Sequence, residues 1–215
     1  MAQTDVEARL RTALTTLILD EYSLLENIRL PLPASERVVA HQIGWRLRTE
    51  WDRSWDIDVE YNRVGHGTSP SLPAPDPGHR PVDISVHHRG LRGPAHNLMV
   101  LQLKVGRIDS LDAEVNRLRL TAEHYRYCHG VLLDLGIEVG ADPASPPVLV
   151  CPSWLWLDAE TPELVPVYKP EAARQLSREG WQARQRRYPW DSDDEIEYPG
   201  WRTPEALPPE PTDRI

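Results

Sequence analysis

The chain has 215 residues, of which 40% are hydrophobic and 27% charged, and its formal net charge is −9. This size and balance predict one soluble globular domain with a substantial core. No apolar run approaches the roughly 20 residues that a membrane span needs, and the net charge argues against the broad basic surface of many nucleic-acid-binding proteins.

The acidic charge is concentrated at the C-terminus. From Asp191 to Ile215 there are eight acidic and two basic residues, so this segment contributes −6 and the rest of the chain −3. We therefore divide the chain into a domain over residues 1–187 and a tail over residues 188–215. The tail is acidic and rich in proline and tryptophan, a composition that predicts an extended or disordered segment.

Two cysteines, Cys128 and Cys151, are too few for a disulfide framework or a zinc site. Both lie in apolar, strand-like segments, which predicts buried thiols in a reducing cytoplasm. The first residues lack a basic segment followed by an apolar core and a cleavage site, so we expect a cytoplasmic protein without a secretory signal.

Two helices are predicted near the N-terminus. Over residues 4–29, leucine and isoleucine recur at steps of three and four, which gives one apolar stripe and a candidate homodimer contact. A second helix is predicted over residues 35–51. Glu36 lies one turn before the buried Val39, on the same inward face, where a carboxylate is costly without a partner. The alternative is that Glu36 only interacts with the helix dipole.

Three strands are predicted next. Residues 56–63 alternate between apolar and polar side chains, as a half-exposed strand does, and residues 64–80 form a long loop rich in glycine and proline. Residues 81–87 are a second alternating strand. Residues 97–105 form a nearly continuous run of leucine, methionine and valine, typical of a strand that is covered on both faces. The short connection between these last two strands predicts an antiparallel hairpin.

The remaining elements complete an α/β pattern. A helix is predicted over residues 110–127, strands over 131–135 and 148–151, a short edge strand over 165–168 and a polar helix over 170–187. This order of elements predicts a mixed central sheet flanked by helices.

Four polar side chains are expected to meet at one end of this sheet. Gln102 and Lys104 follow the buried run and point to the same face, because side chains alternate along a strand. Burying them without partners would cost at least roughly 2 kcal/mol. If the hairpin forms, Asp83 lies near both. Glu36 is the candidate partner from the preceding helix.

This ordered set resembles the PD-(D/E)xK nuclease superfamily, and in particular a group of small uncharacterised bacterial proteins within it. The resemblance covers roughly residues 5–135 and implies a restriction-endonuclease-like core. Two positions depart from the motif: its usual second carboxylate is here Gln102, and the proline directly before the aspartate is here Val82. The matching segments are Glu36-Arg37, Glu60-Tyr61-Asn62-Arg63, Asp83 within the run from Val82 to His87, Asn97-Leu98, and Tyr125 to Gly130.

The resemblance implies a metal-dependent nuclease and a role for each residue. Asp83, Gln102 and the Leu103 carbonyl would bind Mg²⁺ or Mn²⁺, which neutralises phosphate charge and lowers the pKa of an attacking water. Lys104 would orient that water or stabilise the developing charge. Glu36 would hold a water of the metal's coordination shell or a second cation.

DNA is the expected substrate, in defence or in repair. Arginine side chains near the predicted site would contact its phosphates. The candidates are Arg37, Arg63, Arg89 and Arg92, together with Arg46 and Arg48.

A catalytically inactive protein with the same fold is the alternative. Lys104 would then pair with Asp83 in a buried ion pair, and the domain would bind proteins or nucleic acid without cutting them. The amide at position 102 and the net acidity favour this alternative, and the sequence leaves both open.

Overall fold

A computed structural model of the chain describes residues 1–26, 36–60, 82–91, 93–106, 108–139, 146–159 and 163–188. Within these ranges the protein is an α/β domain. Its helices are α1 (Gln3–Asp20), α2 (Tyr22–Glu26), α3 (Glu36–Glu50), α4 (Leu111–Tyr125) and α5 (Pro170–Arg187). Its strands are β1 (Asp56–Val59), β2 (Ile84–His87), β3 (Asn97–Lys104), β4 (His129–Asp134), β5 (Ile137–Val139), β6 (Val148–Val150), β7 (Ser153–Trp156) and β8 (Val165–Pro166).

A mixed sheet organises these elements. Six strands lie in the order β1-β2-β3-β4-β7-β8, and β5 pairs with β6 in a separate two-stranded sheet. The β3–β4 pair is parallel and is connected through α4, whereas β1–β2, β2–β3, β4–β7 and β7–β8 are antiparallel. The predicted mixed central sheet flanked by helices is therefore confirmed.

Strand β3 lies between two helical layers, which explains its continuous apolar sequence. Met99, Leu101 and Leu103 are fully buried in the larger core, together with the apolar stripes of α1 and α3. Val100 is fully buried in the smaller core, which also contains Leu118 of α4. Because side chains alternate along β3, its two polar residues near the end of the strand, Gln102 and Lys104, lie on the α4 side.

The first predicted helix is interrupted at Glu21. This residue leaves helical geometry, and its carboxylate contacts Arg46 of α3 at 3.3 Å. The buried hydroxyl of Tyr22 donates to the carbonyl of Val148 at 2.6 Å and accepts from the amide of the same residue at 3.1 Å. These tertiary contacts, which local periodicity does not encode, stabilise the break between α1 and α2.

The apolar stripe of α1 is buried in the protein's own core. It is therefore not available as a homodimer contact, and a second copy of the chain would have to use another surface. The residues of this stripe are Val6, Leu10, Leu14, Leu17 and Ile18.

The predicted burial of Cys128 is wrong. Both cysteines are free, but Cys128 is exposed and Cys151 is only half-buried. Cys128 follows the end of α4 and precedes β4, and its thiol donates to the carbonyl of Pro94 at 3.0 Å. The local apolar pattern thus describes β4 rather than the residue before it.

Two predicted segments lie outside the described residues: the long loop over 64–80 and almost all of the tail, 189–215. In the parts of the chain that the structure describes, no helix is long and apolar enough to cross a membrane.

Helices α1 and α5 are in close contact at Gly180, which predicts a strong effect of a small substitution. A methyl group at this position would lie 2.4 Å from the carbonyl oxygen of Ile18. We expect Gly180→Ala to lower the free energy of unfolding by about 1–3 kcal/mol, although alanine favours a helix by about 1 kcal/mol over glycine. Urea denaturation measures the change. Gln182→Ala, at an exposed position of the same helix, is the control, and equal stability of the two variants would contradict the close contact.

Candidate active site

Asp83 lies directly before β2 and faces Gln102 across the hairpin. The last pair of the β2–β3 ladder is Ile84 with Leu101, so Asp83 and Gln102 are one step beyond it. Oδ2 of Asp83 accepts hydrogen bonds from Nε2 of Gln102 and, at 2.6 Å, from the backbone amide of Leu103. The hairpin thus brings the two side chains together.

Glu36, the first residue of α3, reaches the same end of β3. Its Oε1 accepts a hydrogen bond from the backbone amide of Val105 at 3.2 Å, and its Oε2 is 3.8 Å from Nζ of Lys104. Glu36 therefore points toward the sheet and contacts the last residue of β3 and the residue after it.

Lys104 has a second carboxylate partner, Glu114, which sequence reasoning missed. The Nζ of Lys104 is 3.5 Å from Oε1 of Glu114, and both side chains are more than four-fifths buried. Glu114 lies three residues after Leu111 and four before Leu118, so the helical period of α4 places it on the inward face. The same signal that singled out Glu36 could have identified it.

The ion pair between Lys104 and Asp83 that the inactive alternative requires is not formed. Among the described residues, the carboxylates within 4.0 Å of the Lys104 ammonium are Glu36 and Glu114. Asp83 instead accepts hydrogen bonds from Gln102 and Leu103.

The edge of β3 explains why carboxylates gather here. Since β2 pairs no further than Leu101, the amides of Leu103 and Val105 have no strand partner on that edge. Asp83 and Glu36 supply the acceptors. In an antiparallel strand the amide and carbonyl of one residue face the same edge, so the Leu103 carbonyl also faces the Asp83 side.

Two side-chain oxygens remain for a ligand. Among the described residues, no donor contacts Oδ1 of Asp83 or Oε1 of Gln102, and neither atom is buried without a partner. Both oxygens therefore lack a hydrogen-bond partner among the described residues. With the Leu103 carbonyl they make a set of three neighbouring oxygens, which suits a hard divalent cation.

These three oxygens include only one negatively charged group, the carboxylate of Asp83. Across the described ranges, no group of three or more histidine, cysteine, aspartate and glutamate residues is placed to hold a metal. A cation at Asp83 would thus depend on amide and carbonyl oxygens in addition to one carboxylate, which fits Mg²⁺ or Mn²⁺ better than Zn²⁺.

The surroundings raise the pKa of Asp83 to about 6. Burial is the main cause, and the charges of Glu36 and Glu60 act in the same direction, whereas the Leu103 amide and the Lys104 ammonium lower it. The carboxyl group is therefore half-protonated near pH 6 and ionised only above it, so cation binding should strengthen as pH rises through this range.

Arg37, which directly follows Glu36, lies beside the site. Its Nε contacts the carboxylate of Glu60, yet its side chain remains 73% exposed. Arg46 is unavailable, because its guanidinium is buried and contacts Glu21 and Asp20.

Arg89 lies at the far end of β2, and the structure does not bring it to the site. Its Nε donates to Oδ2 of Asp58 at 3.0 Å and its backbone amide to Asp56 at 2.8 Å. Strand β2 separates it from Asp83 by more than about 13 Å. Arg63 and Arg92 lie outside the described residues.

A shallow depression elsewhere on the protein, with a volume of about 570 Å³, has no carboxylate in its lining. It lies between α1, β8 and α5, where Arg11 stacks over Tyr168. Its lining combines two basic side chains and one tyrosine with apolar groups, so it offers no carboxylate to a cation. Its lining residues are Arg11, Pro166, Val167, Tyr168, Lys169, Pro170 and Ala172.

Comparisons of the chain with protein-family models, with curated proteins and with solved structures gave no match. The candidate site therefore rests on the geometry of the described residues and on the motif resemblance.

The raised pKa of Asp83 predicts that its ionised form destabilises the fold. The folded state holds the proton up to about pH 6, whereas the unfolded chain releases it near 3.8, so stability falls as pH rises from about 4 to above 6. We expect Asp83→Asn, whose amide oxygen can accept the same hydrogen bonds, to raise the free energy of unfolding by about 2 kcal/mol at pH 8. The gain should vanish near pH 4.

Urea denaturation at both pH values measures this effect. Asp109→Asn, at an exposed position, is the matched control for the replacement of an aspartate by an asparagine. A loss of stability of Asp83→Asn at pH 8 would show that the charge of Asp83 stabilises the folded state instead.

Proposed function

We propose that the protein is a metal-dependent nuclease that hydrolyses phosphodiester bonds in DNA, with a role in defence or repair. This proposal depends on one observation: four polar side chains lie at the same end of the sheet. They are Glu36, Asp83, Gln102 and Lys104. Asp83 and Gln102 are hydrogen-bonded, and Lys104 contacts Glu36. Four side chains from three separate parts of the chain are thus close together, which supports the proposal.

The order of elements supports the same interpretation. An α-helix that carries a glutamate precedes an antiparallel hairpin, and α4 then leads to the parallel strand β4. This arrangement is consistent with the restriction-endonuclease-like core that the motif implies. Fold alone does not determine activity, so the site has to carry the argument.

In this mechanism Asp83, Gln102 and the Leu103 carbonyl would hold Mg²⁺ or Mn²⁺. The cation would neutralise phosphate charge and lower the pKa of the attacking water. In hydrolysis the oxygen of a water forms a bond to phosphorus, the bond to the leaving sugar oxygen breaks, and the proton that the water loses is transferred through solvent to that leaving oxygen. Lys104, fixed between Glu36 and Glu114, donates hydrogen bonds to the water or to the phosphate oxygens as charge develops on them.

Glu36 and Glu114 would position the ammonium of Lys104. A lysine side chain has four rotatable bonds and loses much conformational freedom when it is fixed. Two carboxylates at 3.8 and 3.5 Å restrict it before a substrate arrives. Such preorganisation is a large part of catalysis at charged transition states.

A non-catalytic binding module is the second candidate. It is favoured by the hydrogen bonds of Asp83 and Glu36 to the β3 edge, which give both carboxylates a structural role without a metal. Position 102 also carries an amide in place of the usual carboxylate.

Plasmid cleavage with Mn²⁺ separates the two candidates. We expect the wild-type chain to nick or linearise plasmid DNA, and Asp83→Asn and Lys104→Met to reduce the rate to background, because they remove a metal ligand and the charge-stabilising group. Asp109→Asn is the control that should retain activity. Equal rates in all four preparations would indicate a contaminating nuclease.

Calorimetric titration with Mn²⁺ provides a readout that does not depend on activity. The affinity should rise between pH 5 and pH 7, following the pKa of Asp83 of about 6, and Asp83→Asn should abolish binding. If the wild-type chain neither binds Mn²⁺ nor cleaves DNA, the nuclease proposal fails and the non-catalytic binding module becomes the better candidate.

Gln102→Glu tests the charge of the donor set. The added carboxylate should raise the affinity for Mn²⁺ by at least about tenfold, since 1.4 kcal/mol suffices for that factor. The same variant should also lower the free energy of unfolding above pH 6 in the absence of metal, because the new carboxylate lies beside Asp83. Gln102→Met, which removes the oxygen without adding charge, should instead weaken binding. Identical affinities of the two variants would exclude position 102 as a ligand.

A further inference from the structure

The outward face of α3 carries an exposed aromatic ring among cations. Trp45 is 68% exposed, more than any other large hydrophobic side chain in the described part of the chain. Arg37, His41, Trp45 and Arg48 follow one another at steps of four, four and three residues, so they form one line along the helix. We name these four residues the α3 ridge.

Few negative charges lie close to the positive charges of the α3 ridge. All exposed residues of α3 are neutral or basic, and its acidic residues, Glu36 and Glu50, are half-buried at its ends. Arg48 donates to the backbone carbonyl of Trp55, a neutral acceptor, and none of the described carboxylates is within 4.0 Å of it. Arg37 contacts Glu60 but stays 73% exposed. This surface is thus basic in a chain of net charge −9.

An exposed tryptophan between cations has the chemistry of a single-stranded nucleic-acid surface. Unpaired bases stack on aromatic rings while arginines bind the phosphates beside them. The base pairs of a duplex are already stacked on one another, so the Trp45 ring would have no partner there. An acidic peptide would satisfy the arginines but leave the face of the ring uncovered.

The α3 ridge lies on a closely packed helix and begins beside the candidate site. Arg37 follows Glu36 directly, and the ridge extends for about 16 Å from Arg37 to Arg48. The helix lies so close to β1 that a methyl group at Gly44 would be 2.7 Å from Cγ2 of Val59. Because the helix is fixed in this way, Trp45 is held on the side opposite the core.

We propose that the α3 ridge binds single-stranded nucleic acid, with Trp45 as the stacking platform, and that the strand passes over the start of α3 to the candidate site. This inference rests on the proposed nuclease function and names its substrate class. It assigns a binding role to Trp45 and His41, which have no part in the motif.

The test is binding of a fluorescein-labelled oligothymidine of 20 nucleotides to the full chain in EDTA, measured by anisotropy. We expect Trp45→Ala to weaken binding at least about fivefold, the lower end of what one stacked base contributes, and Trp45→Phe to retain most of it. Arg48→Gln should weaken binding and flatten its salt dependence. Leu120→Ala, at another exposed apolar position, is the matched control and should bind like the wild type.

A second comparison uses a duplex of the same length, which should bind more weakly and respond little to Trp45→Ala. Equal binding of Trp45→Ala and wild type to the single strand would overturn the inference, as would a preference for the duplex or for an acidic peptide. The cleavage assay of the proposed function is independent of these results. If the ridge binds the single strand and the wild-type chain cuts neither plasmid DNA nor the oligothymidine with Mn²⁺, the binding role of the ridge stands. The nuclease proposal then fails, and with it the path of the strand to the candidate site.

Discussion

The edge of β3 beyond the end of β2 is the constraint on which the candidate site depends. The amides of Leu103 and Val105 need acceptors there, because an unpaired buried amide costs roughly 1–3 kcal/mol. The chain supplies the carboxylates of Asp83 and Glu36 rather than a longer β2. That choice raises the pKa of Asp83 to about 6 and places a carboxylate beside Lys104. The hydrogen bonds of these amides and the electrostatics of the site thus follow from one feature: β2 ends before β3 does.

The sequence predicts well the elements whose spacing of apolar and polar residues shows which side chains are buried and which are exposed. The apolar run of residues 97–105 became β3, and the polar helix predicted over 170–187 became α5 with the same bounds. The break at Glu21 could not be predicted in this way, because its causes are Arg46 and Val148. Both are remote in sequence, and local periodicity carries no information about them.

The candidate site shows the same division. Alternation along the strands, with the hairpin, was enough to bring Asp83 and Gln102 together. The partners of Lys104 and Arg89 depended on other elements: α4 supplies Glu114, and β1 supplies Asp58. A strand pattern gives the face on which a side chain lies, but the end of the sheet and the neighbouring carboxylates are set by tertiary packing. Arginines therefore could not be assigned to phosphates from sequence alone.

The backbone amides at this edge need hydrogen-bond acceptors, but these acceptors do not have to be charged. A neutral asparagine at position 83 could accept the same hydrogen bonds without the desolvation that raises the pKa of Asp83, so edge capping alone does not explain a carboxylate there. Perturbed carboxylates of this kind are typical of functional sites, where stability is reduced for the sake of activity. Gln102 fits this view, since its amide donates to Asp83. A glutamate there would add negative charge for a cation but would repel Asp83 whenever the cation is absent. The amide of Gln102 instead holds Asp83 by a hydrogen bond and leaves its own oxygen without a partner among the described residues.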